Sequence, residues 1–321
     1  MTLRIAHHVL AAWLAASCLA VLAQSYPSKP VRIVQPYQAG GPAEGLARVI
    51  GNKMSAELGQ PVVVETKAGA GGTIANGFVA KAPPDGYTVL LAHVGPVALS
   101  PAVQKDLPYD SLRDFEFVGQ LVTTPLLLVV RNDIPARTVQ EFIAHARKHP
   151  GMTYGSIGVG STSHLAGEML AMQAGLEFVH VPFKGSAQTI VEILGGRIDF
   201  AFIGVSGSIE QARAGQLRAL AVTTQKRSPN LPDIPAVSET LPGFEFSSWY
   251  GLMVPKGTPR PVVLRLQEAA AKAVASREVQ DWMKSNALDP QVTGSEEFAA
   301  LVRSELEKWA RITKAVKLGN F

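Results

Sequence analysis

The fold of this chain follows from one stretch, Val31-Arg-Ile-Val-Gln-Pro-Tyr-Gln-Ala-Gly-Gly-Pro-Ala-Glu-Gly-Leu-Ala-Arg48. A short apolar run ends in the Gly40-Gly41 turn, and a helical pattern begins directly after it. This pattern predicts a strand that leads into a helix N-terminus through a loop without side-chain bulk. Such a junction directs free backbone N–H groups and the positive end of a helix dipole at one point. A second junction of this kind, Ala68-Gly-Ala-Gly-Gly-Thr73, follows, and together the two predict a shared anion-binding site.

Apolar runs and amphipathic stretches alternate along the whole chain. The predicted strands are Val31–Pro36, Val62–Glu65, Tyr87–Ala92, Leu126–Arg131, Phe178–Pro182, Ile198–Ile203, Leu217–Thr223 and Trp249–Val254. The predicted helices are Ala43–Leu58, Thr73–Lys81, Thr138–His149, Thr162–Ala174, Ser186–Leu194, Arg260–Ala275, Val279–Ser285 and Ser295–Ala315. This alternation predicts an α/β fold with parallel sheets and helices on both faces. Ligands of such folds bind beyond the carboxyl ends of the strands.

Two extended segments interrupt this alternation, near Leu121–Pro125 and near Gly243–Val254. Two crossing strands are typical of two lobes that enclose a cleft. We therefore expect one lobe from residues 24–122 plus 247–321 and a second lobe from residues 123–246.

The N-terminal residues 1–23 have the composition of a secretory signal peptide. Arg4 gives a basic start, Val9–Leu22 is apolar, and Ala23 is the small residue that precedes a cleavage site. We expect cleavage after Ala23 and a soluble periplasmic product. A retained anchor, or a lipid on Cys18, is the alternative.

Composition excludes several functional classes. The net charge is +4, and no run of five Lys or Arg occurs, which argues against nucleic-acid binding. The only cysteine is Cys18, so the mature chain has neither a disulfide nor a thiolate nucleophile. No later segment contains 18 uninterrupted apolar residues, as a transmembrane helix would. Neither glycine junction matches a nucleotide-binding motif, and no cofactor is expected.

A third junction, Gly158-Val-Gly-Ser-Thr-Ser-His164, also precedes a predicted helix. One of the hydroxyl residues Ser161, Thr162 and Ser163 is expected to cap that helix, which leaves the others free to face the cleft. A serine hydrolase is not indicated, because no Gly-x-Ser-x-Gly elbow occurs. Ser163 and His164 are sequence neighbours on a predicted helix, so their side chains point apart and do not form a nucleophile–base pair.

Other polar residues are weaker candidates. Gly185 and Ser186 open a predicted helix and could present N–H groups to a ligand. His93 follows a strand, and it either lines the cleft or is a loop histidine with its own partners. His145 and His149 have zinc-ligand spacing but no evident acidic third ligand, so no metal is expected.

Taken together, several segments resemble a known family. They are Tyr26-Pro-Ser-Lys-Pro, Pro36-Tyr-Gln-Ala-Gly-Gly41, Leu58-Gly-Gln-Pro-Val-Val-Val64, Gly69-Ala-Gly-Gly72, Pro84-Asp-Gly-Tyr-Thr88, Gly160-Ser-Thr-Ser-His-Leu-Ala-Gly167, His180-Val-Pro-Phe-Lys-Gly-Ser186, Leu217-Arg-Ala-Leu-Ala-Val222 and Trp249-Tyr-Gly-Leu. The chain resembles the Bug (Bordetella uptake gene) extracytoplasmic solute receptors, the binding components of tripartite tricarboxylate transporters. The matches cover essentially the whole mature chain in order.

The resemblance implies a type II-like periplasmic binding protein with two Rossmann-like lobes, which closes on a small carboxylate and works with membrane permease subunits. It also implies a monomer. In the family, loops like Tyr37–Glu44 and Gly69–Thr73 hold a carboxylate through backbone N–H groups and two waters. The candidate ligand-binding residues are Tyr37, Gln38, Ala39, Gly40, Gly41, Glu44, Ala70, Gly71, Gly72, Thr73, His93, Ser161, Thr162, Ser163, Gly185, Ser186, Ile203 and Gly204.

Two departures from the family pattern bear on the ligand. Pro42-Ala43-Glu44 replaces a polar triplet, and Phe202-Ile-Gly204 replaces the common Phe-Asp-Asn. These losses favour a ligand whose far end is apolar or aromatic. A periplasmic regulatory receptor of the same fold shares every binding feature and remains an alternative. An enzyme on a two-lobe fold would need a nucleophile, an acid–base pair or a cofactor anchor, and none occurs at convincing spacing.

Overall fold

The computed structural model describes residues 26–228 and 230–316. The predicted signal peptide, its cleavage site and Cys18 lie outside the described residues. The strands are β1 Val31–Gln35, β2 Val62–Thr66, β3 Thr88–His93, β4 Phe115–Val130, β5 Thr153–Ser156, β6 Val179–Pro182, β7 Phe200–Gly204, β8 Arg218–Val222, β9 Ser247–Pro255 and β10 Asp289–Pro290. Among the described residues, no helix combines the length and the apolar character needed to cross a bilayer.

The helices connect these strands and cover the sheet. They are α1 Pro42–Leu58, α2 Thr73–Ala80, α3 Ser100–Val103, α4 Val139–Lys148, α5 Thr162–Ala174, α6 Ser186–Leu194, α7 Val205–Arg213, α8 Arg260–Ala275, α9 Arg277–Ser285 and α10 Ser295–Val316. Short 3₁₀ turns occur at Ala70–Gly72 and Val237–Glu239, and a π turn occurs at Gly95–Leu99.

The strands form one continuous path in the order β2-β1-β3-β9-β4-β7-β5-β6, with β8 and β10 also paired to β4. The pairs β1/β2, β1/β3, β5/β6 and β5/β7 are parallel, as predicted for strands joined by crossover helices. The pairs that involve β4 or β9 are antiparallel. Two parallel units are thus joined by two antiparallel strands.

Strand β4 belongs to both halves of the molecule. Its first part pairs with β9 as far as Pro125, and from Leu126 onward it pairs with β7 and β8. Thr223 binds both crossing segments, since its Oγ1 accepts the Leu126 N–H at 2.9 Å and donates to the Phe246 carbonyl at 2.6 Å. Strand β4 therefore changes its pairing partner at one point, and the Thr223 hydrogen bonds hold the two crossing segments together there.

The C-terminal helix reaches across this junction. Trp309 of α10 is fully buried and its ring packs 4.9 Å from that of Phe246. Sequence analysis assigned Phe246 to the second lobe and α10 to the first. The helix therefore contacts both predicted lobes beside the crossing strands.

All eight predicted helices are present, three of them with the same bounds, and the eight predicted strands are confirmed. Helix α7 was not predicted, because Val205-Ser-Gly-Ser208 is a poor helix-forming sequence. A glycine is required at position 207, because the Cβ of any other residue would lie 2.9 Å from the Pro42 side chain. Residues 115–120 of β4 were also missed, because register shifts near Gly119 and Leu121 break the alternation of apolar and polar side chains. The extended segment predicted near Leu121–Pro125 is the middle of this strand.

Candidate functional site

A small cavity lies between the two halves of the molecule, at the carboxyl ends of β1, β3 and β7. The volume of this cavity is about 20 Å³. The two halves are therefore closer together here than a ligand of several heavy atoms allows. The cavity is lined by Tyr37, Gly41, Pro42, Ala43, His93, Thr124, Leu126, Ile157, Thr162, Ser186, Gly204, Ser248 and Tyr250.

Four helix N-termini converge on this cavity. Helix α1 comes from the first half of the molecule, and α5, α6 and α7 come from the second. Each has a residue of its first turn, or its N-cap residue, in the lining. Since every helix dipole presents its positive end there, the cavity favours a negative charge.

Three of these N-termini have a glycine as their N-cap. Gly41, Gly185 and Gly204 each precede a helix, and none provides a side-chain hydrogen bond to it. The first-turn N–H groups of these helices therefore have no capping side chain. Glycine also allows an oxygen of a ligand to approach the backbone closely. The glycine junction predicted from sequence at Gly40-Gly41 is one of these three.

The polar side chains of the cavity are uncharged: they are hydroxyls and the His93 imidazole. Thr162 and Ser186 are at least nine-tenths buried, and their hydroxyls form no hydrogen bond with other described residues. The lining contains no Asp, Glu, Lys or Arg from the described part of the chain. A bound anion would therefore be held by N–H and O–H dipoles.

His93 is the centre of a buried hydrogen-bonded chain at one wall. Its Nδ1 lies 2.6 Å from the Tyr37 hydroxyl, and its Nε2 lies 2.7 Å from Ser248 Oγ. The Tyr250 ring packs 4.5 Å from the imidazole. Burial lowers the pKa of His93 to about 3, so the ring is neutral at physiological pH. Both sequence-based alternatives for His93 apply, since it lines the cavity and its ring nitrogens are occupied.

Gln35 positions the first loop, and sequence analysis did not single it out. Its Oε1 accepts the Tyr37 N–H at 3.0 Å, and its Nε2 donates to the Tyr37 carbonyl and to Thr66. Gln35 is fully buried. An amide side chain that satisfies both backbone groups of one loop residue fixes that residue in place.

The two halves touch each other around the cavity. The Gln38 N–H donates to the Lys184 carbonyl at 3.1 Å. Gly71 and Gly158 approach so closely that an added Cβ on Gly158 would lie 2.5 Å from the Gly71 nitrogen. An added Cβ on Gly185 would lie 2.8 Å from Gln38 Cβ. The structure therefore has the closed arrangement of the two lobes.

The second glycine junction does not line the cavity in this structure. Gly71 and Gly72 have positive φ angles of 65° and 101°, and they turn the chain toward the Gly158 loop. Ala70 lines a separate opening of about 430 Å³, together with Val159 and Lys184. The Thr73 hydroxyl donates to the Ala70 carbonyl at 2.9 Å. The local pattern was recognised correctly, but this junction faces the contact between the lobes.

Several other predicted residues have structural partners instead. Ser161 caps α5 by accepting the His164 N–H at 3.3 Å, and Ser163 accepts the Ile157 N–H at 2.9 Å. Glu44 accepts the Gly40 N–H at 2.7 Å and pairs with Arg48.

Three more candidates also lie outside the lining. Gln38 and Ala39 are exposed, whereas the Ile203 side chain is buried in an apolar cluster with Leu127. Tyr37, Gly41, His93, Thr162, Ser186 and Gly204 are thus the predicted residues that line the cavity.

Other candidate features lie elsewhere. The rings of His145 and His149 stack 4.0 Å apart on α4, and the described residues contain no cluster of three or more His, Cys, Asp or Glu suited to a metal ion. A larger groove of about 610 Å³ on the second half includes Arg218. That guanidinium already donates to the carbonyls of Ile134 and Ala136, so it is occupied by the fold itself.

Curated relatives match nearly the full length of the chain. A UPF0065 protein from the tcbD-tcbE intergenic region of Pseudomonas sp. strain P51 is 38% identical over 297 residues, which cover 92% of this chain and 88% of the relative. Protein BugT of Bordetella pertussis is 31% identical over 297 residues, covering 92% and 91%.

Solved structures agree in fold over the same length. Periplasmic binding protein BugD has a TM-score of 0.89 at 35% identity, covering 91% of this chain and 99% of that one. Rpa4515 of R. palustris with adipate has a TM-score of 0.88 at 32% identity, with 91% and 99% coverage. MatC of Rhodopseudomonas palustris with bound malate has a TM-score of 0.84 at 31% identity, with 89% and 99% coverage.

The fold, the cavity and the relatives lead to the same assignment. Residues 46–318 match the family described as tripartite tricarboxylate transporter family receptor. The two-lobe binding-protein fold expected from the sequence is confirmed by the solved structures. The chain therefore belongs to the tripartite tricarboxylate transporter receptor family, and it is a solute receptor of the Bug type, not an enzyme.

Proposed function

We propose that this periplasmic receptor captures a small carboxylate in the cavity between its lobes. The observation that carries the proposal is the convergence of four helix N-termini, three with glycine N-caps, on a lining without charged side chains. A carboxylate oxygen is the natural acceptor for such N–H groups. The related structures that hold adipate and malate support the same class of ligand.

The far end of the ligand is apolar or aromatic. Pro42, Leu126 and Ile157 provide an apolar part of the lining. Gly204 stands where a polar side chain is common in similar receptors, so no polar group from that position meets the ligand. An uncharged or ring-containing tail would bury its surface there at low cost.

Capture depends on motion of the lobes about the crossing strands. The first lobe comprises residues 24–122 and 247–321, and the second comprises residues 123–246. The pairing change between Pro125 and Leu126 supports a hinge at this point. A ligand that bridges α1 and the helices of the second lobe stabilises the closed state.

The receptor then delivers its ligand to the membrane permease subunits of a tripartite tricarboxylate transporter. It does so as a monomer released into the periplasm by cleavage after Ala23. Family membership supports the association with such a transporter.

The proposal predicts that carboxylates stabilise the protein in a thermal-shift screen. A ligand at a hundred times its dissociation constant adds about 2.7 kcal/mol, which raises the melting temperature by roughly 5–10 °C for a chain of this size. Because the N–H donors are buried, the affinity should change little between low and moderate salt.

The amides of the same acids are the control in this screen. Equal stabilisation by acids and amides would contradict an anion site. A steep loss of affinity with salt would also contradict it, and would indicate an exposed cation such as Lys184 as the anchor.

A methyl group on Gly185 should prevent full closure. Gly185 has an extended backbone, with φ 174°, so alanine is tolerated in the open form, but its Cβ would lie 2.8 Å from Gln38 Cβ in the closed form. Overpacking costs about 1–3 kcal/mol, so Gly185→Ala should weaken ligand binding by roughly 5- to 150-fold. Isothermal titration measures the affinity, and X-ray scattering measures the degree of closure.

Gly195→Ala is the matched control, because it adds the same methyl group at the other end of α6. There the added Cβ meets the flexible Arg197 side chain, 2.8 Å away. This variant should bind as the wild type does. Equal affinities for the Gly185 and Gly195 variants would rule out this contact as part of closure.

A further inference from the structure

The chain of hydrogen bonds through His93 has a direction that the structure determines. Three donors or acceptors surround the imidazole within hydrogen-bond distance. The Tyr37 hydroxyl lies 2.6 Å from Nδ1, the Gly95 N–H donates to Nδ1 at 3.3 Å, and Ser248 Oγ lies 2.7 Å from Nε2. All of these groups are buried.

The Gly95 bond assigns the tautomer. A backbone N–H can only donate, so Nδ1 must offer a lone pair and cannot carry a proton. Tyr37 remains a phenol, because burial raises its pKa well above the usual value. Its hydroxyl therefore also donates to Nδ1. A neutral imidazole with an unprotonated Nδ1 carries its single proton on Nε2.

The Ser248 hydroxyl oxygen accepts the hydrogen bond from this N–H group. The Nε2–H donates to Ser248 Oγ across 2.7 Å, and Ser248 Oγ has no other hydrogen bond with the described residues. The Ser248 O–H can therefore donate a hydrogen bond to a group in the cavity, which Ser248 lines. In the opposite tautomer, Ser248 would donate to Nε2 and present only lone pairs to the cavity.

We propose that His93 is a positioning residue that fixes Ser248 as a hydrogen-bond donor to the ligand carboxylate, so that the cavity selects carboxylates over carboxamides. This inference rests on the proposed function. A carboxamide has only one oxygen, so it cannot accept from Ser248 and from the uncapped first-turn N–H groups at once, and one of its N–H donors would face a fixed donor. Unpaired buried donors are the usual basis for rejecting a close analogue.

The hydroxyls of Thr162 and Ser186 do not discriminate in this way, and those of Thr124 and Tyr37 already donate, to the Pro125 carbonyl and to His93. Thr162 and Ser186 have no partner that fixes their rotation among the described residues. Each can donate to a carboxylate or accept from an amide. Selectivity between the two ligand types therefore depends on the Ser248 hydroxyl that His93 fixes as a donor, in addition to the first-turn N–H groups.

Nuclear magnetic resonance of nitrogen-labelled, ligand-free wild type tests the tautomer directly. We expect the His93 shifts of an unprotonated Nδ1 and a protonated Nε2, unchanged between pH 5.5 and 8. A protonated Nδ1 would overturn the proposal. The measurement needs no ligand, so its outcome is independent of the proposed function.

Isothermal titration with two matched pairs, adipate with adipamide and benzoate with benzamide, tests the selectivity. Ser248→Ala should weaken carboxylate binding about tenfold to a hundredfold and leave amide binding nearly unchanged, because the lost bond is made to a charged acceptor. The ratio of the two affinities should fall by the same factor. An unchanged ratio would overturn the proposal.

Ser186→Ala is the comparison variant within the same cavity. It should weaken both ligands, the charged carboxylate somewhat more than the amide, so that the ratio falls much less than in Ser248→Ala. A ratio that falls equally in both variants would assign selectivity to hydroxyls in general and overturn the role of His93. A wild type that binds neither acid would refute the proposed carboxylate ligands, while the nitrogen shifts would still decide the tautomer.

Discussion

Gly204→Asp should abolish carboxylate binding, whereas Gly204→Asn should retain most of it. Gly204 is the N-cap of α7 and lines the cavity, and an added Cβ would lie 3.7 Å from Pro42 Cγ, an ordinary contact. Both side chains are favoured N-caps, so neither should destabilise the helix. They differ in charge and hardly in shape.

The carboxylate introduced by Gly204→Asp would face the ligand carboxylate in a buried site. Like-charge contacts of this kind cost several kcal/mol, so the aspartate variant should bind at least about a hundredfold more weakly than the asparagine variant. Isothermal titration measures the ratio, and thermal unfolding without ligand checks that both variants fold. Equal affinities would mean that the anion lies away from α7.

Lowering the pH from 7 to 5 should reduce stability by several kcal/mol. Burial lowers the pKa of His93 and of His164 to about 3, with a further contribution to His164 from the adjacent His180. The ordinary value for histidine is 6.5. Between these values the unfolded chain binds a proton at each site and the folded chain does not, so stability falls as the pH drops below about 6.5.

Each such histidine contributes about 1.4 kcal/mol per pH unit, so His93 and His164 together should cost about 4 kcal/mol at pH 5. Burial lowers the pKa of His180 to about 4, so this residue adds to the loss. The melting temperature should fall by roughly 10 °C. Carboxylates whose pKa is lowered in the folded protein, such as Glu44 and Glu239, reduce the stability only at still lower pH, where they take up protons. His164→Gln should reduce the slope of the unfolding free energy against pH by the contribution of one proton. A melting temperature that is constant between pH 7 and 5 would contradict these protonation states.

Local features of the site could be predicted from the sequence. The glycine N-caps Gly41 and Gly185 stand between an apolar run and a helical pattern, which depends only on neighbouring residues. The hydroxyls of Thr162 and Ser186 were found by the same argument. Helix bounds were predicted well for the same reason, since capping and periodicity are local. Gly204 was a candidate only through the family resemblance, because the helix that it caps was not predicted.

Residues supplied by long-range pairing could not be predicted. Thr124 and Ser248 face each other in the cavity because β4 and β9 pair there, and nothing near either residue indicates that pairing. Gln35 has the pattern of an ordinary polar strand residue until its contact with Tyr37 is known. The Gly69–Gly72 junction shows the reverse case, because its local pattern matches Gly40-Gly41 while positive φ angles direct it to the contact between the lobes.

The position of β9 in the sheet also determines the order in which the exported chain can fold. Strand β9 lies between β3 and β4, although it follows both of them by more than a hundred residues in the sequence. The sheet of the first lobe therefore stays incomplete until Ser247–Pro255 has emerged from the secretion channel. Strands β5 to β8 and their β4 partner are contiguous in the chain, so their loops close at lower entropic cost. The strand pairings among β4 to β8 can thus form before the sheet of the first lobe receives its central strand.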